Sequence, residues 1–413
     1  MLDNQRTANP PLAPVMRGVA EDLKLLAASV AWPTAAAEPI PFNRFCKTGA
    51  EFGYIQRAID RMHISGDGEF TARCSEYLES RTGAGKALLT TSCTHALEMA
   101  ALLLEIKPGD EVIVPSFTFV STVNAFVLRG AVPVFIDIRP DTLNMDERLL
   151  AGKITPRTRA IVPVHYAGVS CEMDTIMRLA AAHGIPVVED NAHGLFGAFR
   201  DRNLGTFGCM STLSFHETKN ITCGEGGALL INDRRLIERA EILREKGTNR
   251  KRFFRGEVDK YSWVDTGSSY LPSEILAAVL YAQLESSKTI QSSRERVWRN
   301  YESALRPWAL RNQITLPFVP EYCRQAYHMF YLLLPSERHR QGLIAHLKAR
   351  QIHSVFHYVP LHLSEMGQKF GGRPGDCPVT EDRSNRLLRL PFYNGLASKA
   401  QQRVIDALLE FRV

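Results

Sequence analysis

The sequence predicts an α/β protein: a mostly parallel sheet with helices on both faces, followed by a smaller α+β region. Two observations carry this. Short runs that are apolar almost throughout, among them Glu111–Pro115, Ile185–Asp190 and Gly227–Ile231, recur along the chain, and strands buried on both faces read this way. Helix-length segments separate these runs, and such alternation marks parallel crossover units. Right-handed crossovers bring the carboxyl ends of the strands to one edge, where ligands bind.

In chain order, Glu51–Arg61 reads as a helix ending near the turn Ser65-Gly66-Asp67-Gly68, and Phe70–Arg81 as another. A short strand from Ala87 leads through Ser92-Cys93-Thr94-His95 into a helix reaching Glu105. Lys107-Pro108-Gly109-Asp110 is a turn. Glu111–Pro115 is a strand, Ser121–Arg129 a helix, and Val132–Ile138 and Arg159–His165 are strands. Met173–His183 is a helix. Ile185–Asp190, Met210–Phe215 and Gly227–Ile231 are strands. Pro272 to about Tyr301 reads as one long helix. Strands at Met329–Leu334 and Ser354–Tyr358 and a final helix from Lys399 complete the pattern. The expected division is an N-terminal extension over 1–39, which carries five prolines and is expected to be flexible, a large domain over 40–290 and a small one over 291–413.

Composition excludes several classes. The 413 residues carry 50 Lys and Arg against 44 Asp and Glu, and 45% are hydrophobic, which is ordinary for a globular chain and unlike a disordered or collagenous one. No apolar run reaches the roughly 18–20 residues that span a bilayer, so no membrane partner is expected. The N-terminus lacks the ordered regions of a signal peptide. The eight cysteines form no C-x-x-C pair, which argues against a zinc ribbon or a stapled secreted domain. A reduced, cytoplasmic setting follows.

Five stretches bear chemistry. In Ser211–Gly227 a strand runs into a polar loop with one lysine, Lys219, then a turn with glycines at 224, 226 and 227. A lysine so held forms Schiff bases when its amine is unprotonated; the bland alternative is a surface lysine beside a hairpin. Ile185–His193 ends an apolar strand in Glu189-Asp190, either a helix cap or an acid facing the crevice. An acid and a lysine flanking one ring are what pyridoxal 5'-phosphate (PLP) requires. Thr91–Ala96 joins a strand to a helix start, where backbone N–H groups bind phosphate or serine merely caps. Pro115–Phe119 places aromatics at a strand end, for packing or for stacking on a planar ring. From Arg234 to Lys260 there are ten Lys and Arg against five acids, a solvated face or a catcher of anionic substrate. No nucleic-acid-binding motif accompanies it. His353, His357 and His362 share no helical face and have no ligand with zinc spacing nearby, so no metal is expected.

Six motifs in order carry a resemblance. They are Ile40-Pro-Phe-Asn43, Ser92-Cys-Thr-x-Ala-Leu97, Pro115-Ser-Phe-Thr-Phe119, Glu189-Asp-x-Ala-His193, Ser214-Phe-His-x-x-Lys219 with its Gly-Glu-Gly-Gly turn, and His357-Tyr-x-Pro-Leu-His362. From about Ile40 to the C-terminus the chain resembles the DegT/StrS-type sugar aminotransferases, PLP enzymes of fold type I. The resemblance implies an aspartate-aminotransferase-like, seven-stranded sheet and a homodimer with shared active sites. It implies Lys219 as the Schiff-base lysine and proton shuttle, Asp190 at the pyridine nitrogen, His193 beside the ring and Phe119 stacked on it. The amides of Cys93 and Thr94 and the Ser214 hydroxyl would bind the phosphate. Ser269 stands where many members have asparagine reaching the phosphate from the partner subunit. Arg250, His357 and Tyr358 would meet the sugar nucleotide. Cys171–Met177, Arg244–Arg250 and Gly267–Leu271 narrow the resemblance to members that move the amino group of L-glutamate onto C4 of dTDP-4-keto-6-deoxyglucose. A UDP-linked or 3-keto sugar is the alternative substrate. Dehydratases on this fold replace the lysine, which Lys219 argues against. A non-catalytic regulator that binds PLP or a sugar nucleotide is the remaining alternative; a DNA-binding one would carry a helix-turn-helix or lose the lysine.

Overall fold

Glu111–Pro115 is buried at every position, as a central strand of a covered sheet must be. In a computed structural model, which describes residues 38–412, it is β2. It follows β1 (Lys86–Thr90) and precedes β3 (Val132–Ile136), β4 (Thr158–Ile161) and β5 (Val188–Asp190). Two-residue strands β6 (Ala198–Phe199) and β7 (Arg202–Asn203) form a hairpin, and β8 (Met210–Ser214) and β9 (Gly227–Ile231) complete the group. The ladders run β1-β9-β8-β5 and β3-β2-β4. Single parallel bridges, Ile161 to Val187 and Val164 to Asp190, run between the two. Where the sequence reading expects one seven-stranded sheet, the strands stand in two ladders, of four and of three. Only β9 is antiparallel to its neighbours; the pairs β5–β8, β2–β3 and β2–β4 are parallel. The extension over 1–39 lies almost wholly outside the described residues.

Side chains alternate across β9, as strand geometry requires. Leu229 and Ile231 join Leu97, Ala100 and Val112 on one face. Ala228 and Leu230 join Phe70, Leu78, Ala277 and Leu284 on the other. Helix Cys93–Leu103 covers the first face, and helices Glu69–Thr82 and Glu274–Glu285 the second. A separate apolar cluster gathers Val297, Tyr301, Leu332, Leu388 and Val404, among others. Strand β10 (Cys323–Arg324) pairs with β6, while β11 (Tyr331–Leu333) and β12 (Leu387–Arg389) pair with each other. Among the described residues no helix is long and apolar enough to cross a membrane.

Two elements differ from the sequence reading. The long helix is two, Glu274–Glu285 and Ser287–Arg311, parting at Ser286. Ser286 leaves the helical conformation there (φ −85°, ψ 6°), and the Ser287 hydroxyl pairs with that of Tyr77. Ser354–Tyr358 is not a strand; Val355 makes one bridge, to Arg389. His357 and Tyr358 both line the central cavity, which the two-residue alternation of a strand forbids.

Helix Glu69–Thr82 has no cap of its own, since Gly68 precedes it. Glu274 supplies one across the fold, accepting from the amides of Gly68 (3.0 Å), Phe70 (2.7 Å) and Thr71 (3.0 Å) and from the Thr71 hydroxyl. It is 2% exposed. Glu274→Ala strands these donors away from water and should destabilise the protein by about 3 kcal/mol. Urea unfolding measures this; a change below about 1 kcal/mol would refute the account.

Candidate active site

The carboxyl ends of β1, β2, β5 and β8 open on one cavity of about 890 Å³. After β1, Ser92 caps helix Cys93–Leu103. Its hydroxyl accepts from the His95 amide at 3.1 Å and its carbonyl from the Ala96 amide at 3.2 Å. Four amides at a helix start lack intrahelical partners, so those of Cys93 and Thr94 face the cavity for a ligand. Gly227, the first residue of β9, passes directly behind. A Cβ there would lie 2.3–2.5 Å from the Ser92 and Cys93 backbone, so only glycine leaves the helix start in place. Burial pushes the Cys93 thiol up to about 12, so it stays protonated and offers its amide rather than a thiolate.

Asp190 ends β5 almost fully buried. Its Oδ2 accepts from the Thr122 hydroxyl at 2.7 Å and its Oδ1 from the Ala192 amide at 3.1 Å. Thr122 is held in turn by Thr118 at 2.8 Å. A carboxylate that accepts twice is fixed in orientation yet keeps lone pairs for a cavity ligand.

Lys219 follows β8 and lines the same cavity. Burial lowers its ammonium to about 8, opposed by the Asp190 carboxylate, with Arg389 acting in the same direction as burial. A quarter or so of such an amine is neutral near pH 7.5, against about a thousandth for an ordinary lysine. That is the condition for attack on a carbonyl.

Three histidines close one wall. His193 stacks on His328 with ring centres 4.1 Å apart, and His357 Nδ1 pairs with the Tyr166 hydroxyl at 3.0 Å. Burial drives all three well below the ordinary histidine value, so they are neutral at pH 7. Asn220 donates its amide to the Ala326 carbonyl and turns its oxygen to His328, which fixes the proton of that ring on Nδ1. His193 lines the cavity, and its Nδ1 is buried without a hydrogen-bond partner.

Ser214, Thr94, Phe119 and Tyr358 also line the cavity. Phe119 is 57% exposed at its edge, 6.4 Å from the Tyr358 ring. Of the residues singled out in the sequence, Arg250 and Ser269 do not line the cavity of their own chain. Arg250 pairs with Glu245 at 3.4 Å and lies over Phe254. Ser269 bridges Glu245 through its backbone. Much of the basic stretch is ion-paired within the chain: Arg244 with Asp67, Lys251 with Asp67 and Glu241, Arg252 with Glu238 and Glu257, and Arg255 with Glu241. The histidine cluster disperses. His357 faces the cavity, His353 is exposed, and His362 is buried between Ser116 (2.6 Å) and Glu381 (3.0 Å). Sequence reasoning missed Thr122, His328 and Arg389. Thr118 and Thr122, four apart after the Pro-Ser-Phe motif, were the available signal for the first. The other two come into place only through long-range pairing.

Residues 46–409 match the model of the DegT/DnrJ/EryC1/StrS aminotransferase family. The spore coat polysaccharide biosynthesis protein SpsC of Bacillus subtilis is 35% identical over 334 residues, 79% of this chain and 85% of that one. Among solved structures, DesV of S. venezuelae superposes with a TM-score of 0.82 at 32% identity, covering 91% of this chain and 100% of its own. Spr1654 of Streptococcus pneumoniae in its PLP form gives 0.82 at 26%, covering 90% and 98%, and it has also been solved in its pyridoxamine phosphate form.

Proposed function

Because this chain belongs to the DegT/DnrJ/EryC1/StrS aminotransferase family, we propose that it moves the amino group of L-glutamate onto C4 of dTDP-4-keto-6-deoxyglucose. The product is dTDP-4-amino-4,6-dideoxygalactose, destined for cell-surface polysaccharide. At the coarser level it is a PLP-dependent sugar aminotransferase. The observation that carries this reading is one cavity holding a lysine amine lowered to about 8, a buried twice-anchored aspartate and a helix start with free amides.

The residues fit the cofactor. The Cys93 and Thr94 amides and the Ser214 hydroxyl suit its phosphate. His193, on the cavity wall, suits an oxygen on its ring. Bound there, PLP supplies an aldehyde for amines and a ring that draws electrons from the adjoining carbon. Lys219 would hold the cofactor's aldehyde, and its amine is the acid and base within reach of it. Asp190 would face the ring nitrogen and favour its protonated form. Phe119 would lie against the ring. Arg250 and Ser269 serve the neighbouring site of a homodimer, and His357 and Tyr358 border the sugar. The likeness to SpsC supports a polysaccharide setting, and the narrower sequence likeness supports the 4-keto sugar.

An absorbance titration tests the reaction. L-Glutamate should bleach the near-visible band of the PLP-loaded protein, and dTDP-4-keto-6-deoxyglucose should restore it and yield a 4-amino sugar nucleotide by mass and NMR. Bleaching without recovery would reject this sugar and turn the search to UDP-linked or 3-keto acceptors.

A further inference from the structure

Helix Ser287–Arg311 buries an arginine that the chemistry above does not use. Arg294 is 2% exposed, and among the described residues no carboxylate pairs with it. Its guanidinium bonds to neutral oxygens. Nε donates to the Tyr327 carbonyl at 2.9 Å, Nη1 to the Asn394 side-chain oxygen at 3.2 Å and Nη2 to the His328 carbonyl. The Phe392 ring centre lies 4.7 Å from the guanidinium carbon. Arginine stays protonated, and a buried charge without a counter-charge is costly. An apolar side chain would fill the same space without that cost. What only the arginine does is fix three oxygens at once with a planar fork.

Those oxygens lead back to the lysine. Asn394 donates its amide to the carbonyl of Asn220 at 3.2 Å, and Asn220 follows Lys219 in the chain. The Asn220 amide donates to the Ala326 carbonyl at 2.7 Å and to Gln291 Oε1 at 3.2 Å, which leaves its oxygen to accept from His328 Nδ1 at 2.8 Å. With both amide hydrogens aimed at oxygens, Asn220 has one orientation and His328 one tautomer. The His328 ring then lies on His193, 13° from parallel. Arg294, Asn394, Asn220 and His328 thus close a ring of hydrogen bonds that begins and ends on one guanidinium. Tyr327 sits beside it with φ +50°, a left-handed backbone that costs energy in a tyrosine. Such strain persists only where the surroundings over-determine it. Here the next residue of the helix adds a hold, Glu295 accepting from the Tyr327 hydroxyl at 2.9 Å. On the other side of the lysine, its own amide donates to the His216 carbonyl at 2.9 Å.

We propose that Arg294 and Asn220 are positioning residues of the active site: through this ring they hold the main chain beyond Lys219 and set the tautomer and plane of His328, and by stacking the plane of His193. Neither lines the cavity, and no proton or covalent step is assigned to them. This rests on the aminotransferase reading and adds the residues that keep its lysine in place. The groups that face the Lys219 amine are the Asp190 carboxylate, the Arg389 guanidinium, the neutral Cys93 thiol and the neutral rings of His193, His328 and His357. A change at Arg294 or Asn220 removes none of them.

Two readouts separate positioning from packing. The first is nitrogen-15 NMR of histidine-labelled protein without cofactor. The wild type should show one slowly exchanging Nδ1–H, assigned to His328 by its loss in His328→Gln. Asn220→Ala and Arg294→Met should lose it as the ring divides between tautomers. The second is the pH midpoint of covalent PLP loading at Lys219, fixed with borohydride. Burial holds the amine at about 8, so a lysine that drifts toward water should load with a midpoint about one pH unit higher, toward its ordinary value. Turnover should fall about tenfold or more, with KM for both substrates within about twofold, because the defect lies in aim. Arg294→Lys keeps the charge and can reach part of the fork's oxygens, so it should recover part of both signals. Where Arg294→Met fails to fold, Asn220→Ala and Asn394→Ala decide. Variants that lose stability in urea yet keep the Nδ1–H signal and the midpoint would overturn the proposal, leaving the ring as packing alone. A wild type without the Nδ1–H signal would overturn it equally. The signal and its loss in the variants, in a protein that loads PLP but aminates no keto sugar, would leave the ring standing and reject the sugar, so the two readings fail separately.

Discussion

Lys219→Ala should lower transamination by at least about 10³-fold and leave the fold intact. General acid–base catalysis alone is worth about 10²–10⁴-fold, and this residue also supplies the amine that holds the cofactor. The protein should still capture PLP, because the phosphate seat at Ser92–Thr94 and the Asp190 carboxylate do not depend on the lysine. Borohydride should then fix no label at position 219, whereas it should label the wild type there. The sign of the pH dependence follows from burial. The amine is lowered to about 8, so it is mostly charged at pH 6.5 and mostly neutral at pH 9. Covalent loading of the apo protein should rise with pH across that interval and level off above it, rather than climb toward 10.5. Turnover of the alanine variant within about tenfold of wild type would sink the assignment.

How much of this was legible depends on where each residue gets its neighbours. Asp190 closes an apolar strand and Lys219 lies in the polar loop that follows another, so local pattern sufficed to place both at one edge. Glu111–Pro115, Met173–His183 and Gly227–Ile231 were readable to the residue for the same reason. Arg389 was not, because what makes it distinctive is distant: the pairing of β12 with β11, the bridge to Val355 and the Phe42 ring beneath it. His328 reaches His193 across a similar gap. The basic stretch shows the converse failure. A window count sees only charges adjacent in sequence, whereas Arg244 finds Asp67 and Arg239 finds Glu105 and Asp265, acids outside the window. Charge along a chain is one-dimensional, and ion pairing is not.

Asp190→Asn should cut the rate by about 10³-fold, and the reason lies in what already occupies the carboxylate. Thr122 and the Ala192 amide both donate to it. Asparagine can keep that orientation, its oxygen accepting from the Ala192 amide and its NH₂ donating to the Thr122 hydroxyl, which can turn its own proton to Thr118. What it removes is the negative charge that would keep the ring nitrogen protonated. Breaking a buried ionic pair on one side costs about 3–5 kcal/mol, or two to four orders of magnitude in rate. Thr122→Val separates charge from positioning. It leaves the carboxylate in place but removes the hydroxyl that aims it, and should cost about tenfold, with the absorbance band of the bound cofactor retained. In Asp190→Asn the band should shift toward that of the unprotonated ring at the same pH. An unaltered rate and band in Asp190→Asn would mean that another group holds the ring nitrogen. Equal losses in the two variants would mean that the Thr122 hydroxyl, rather than the charge, carries the effect.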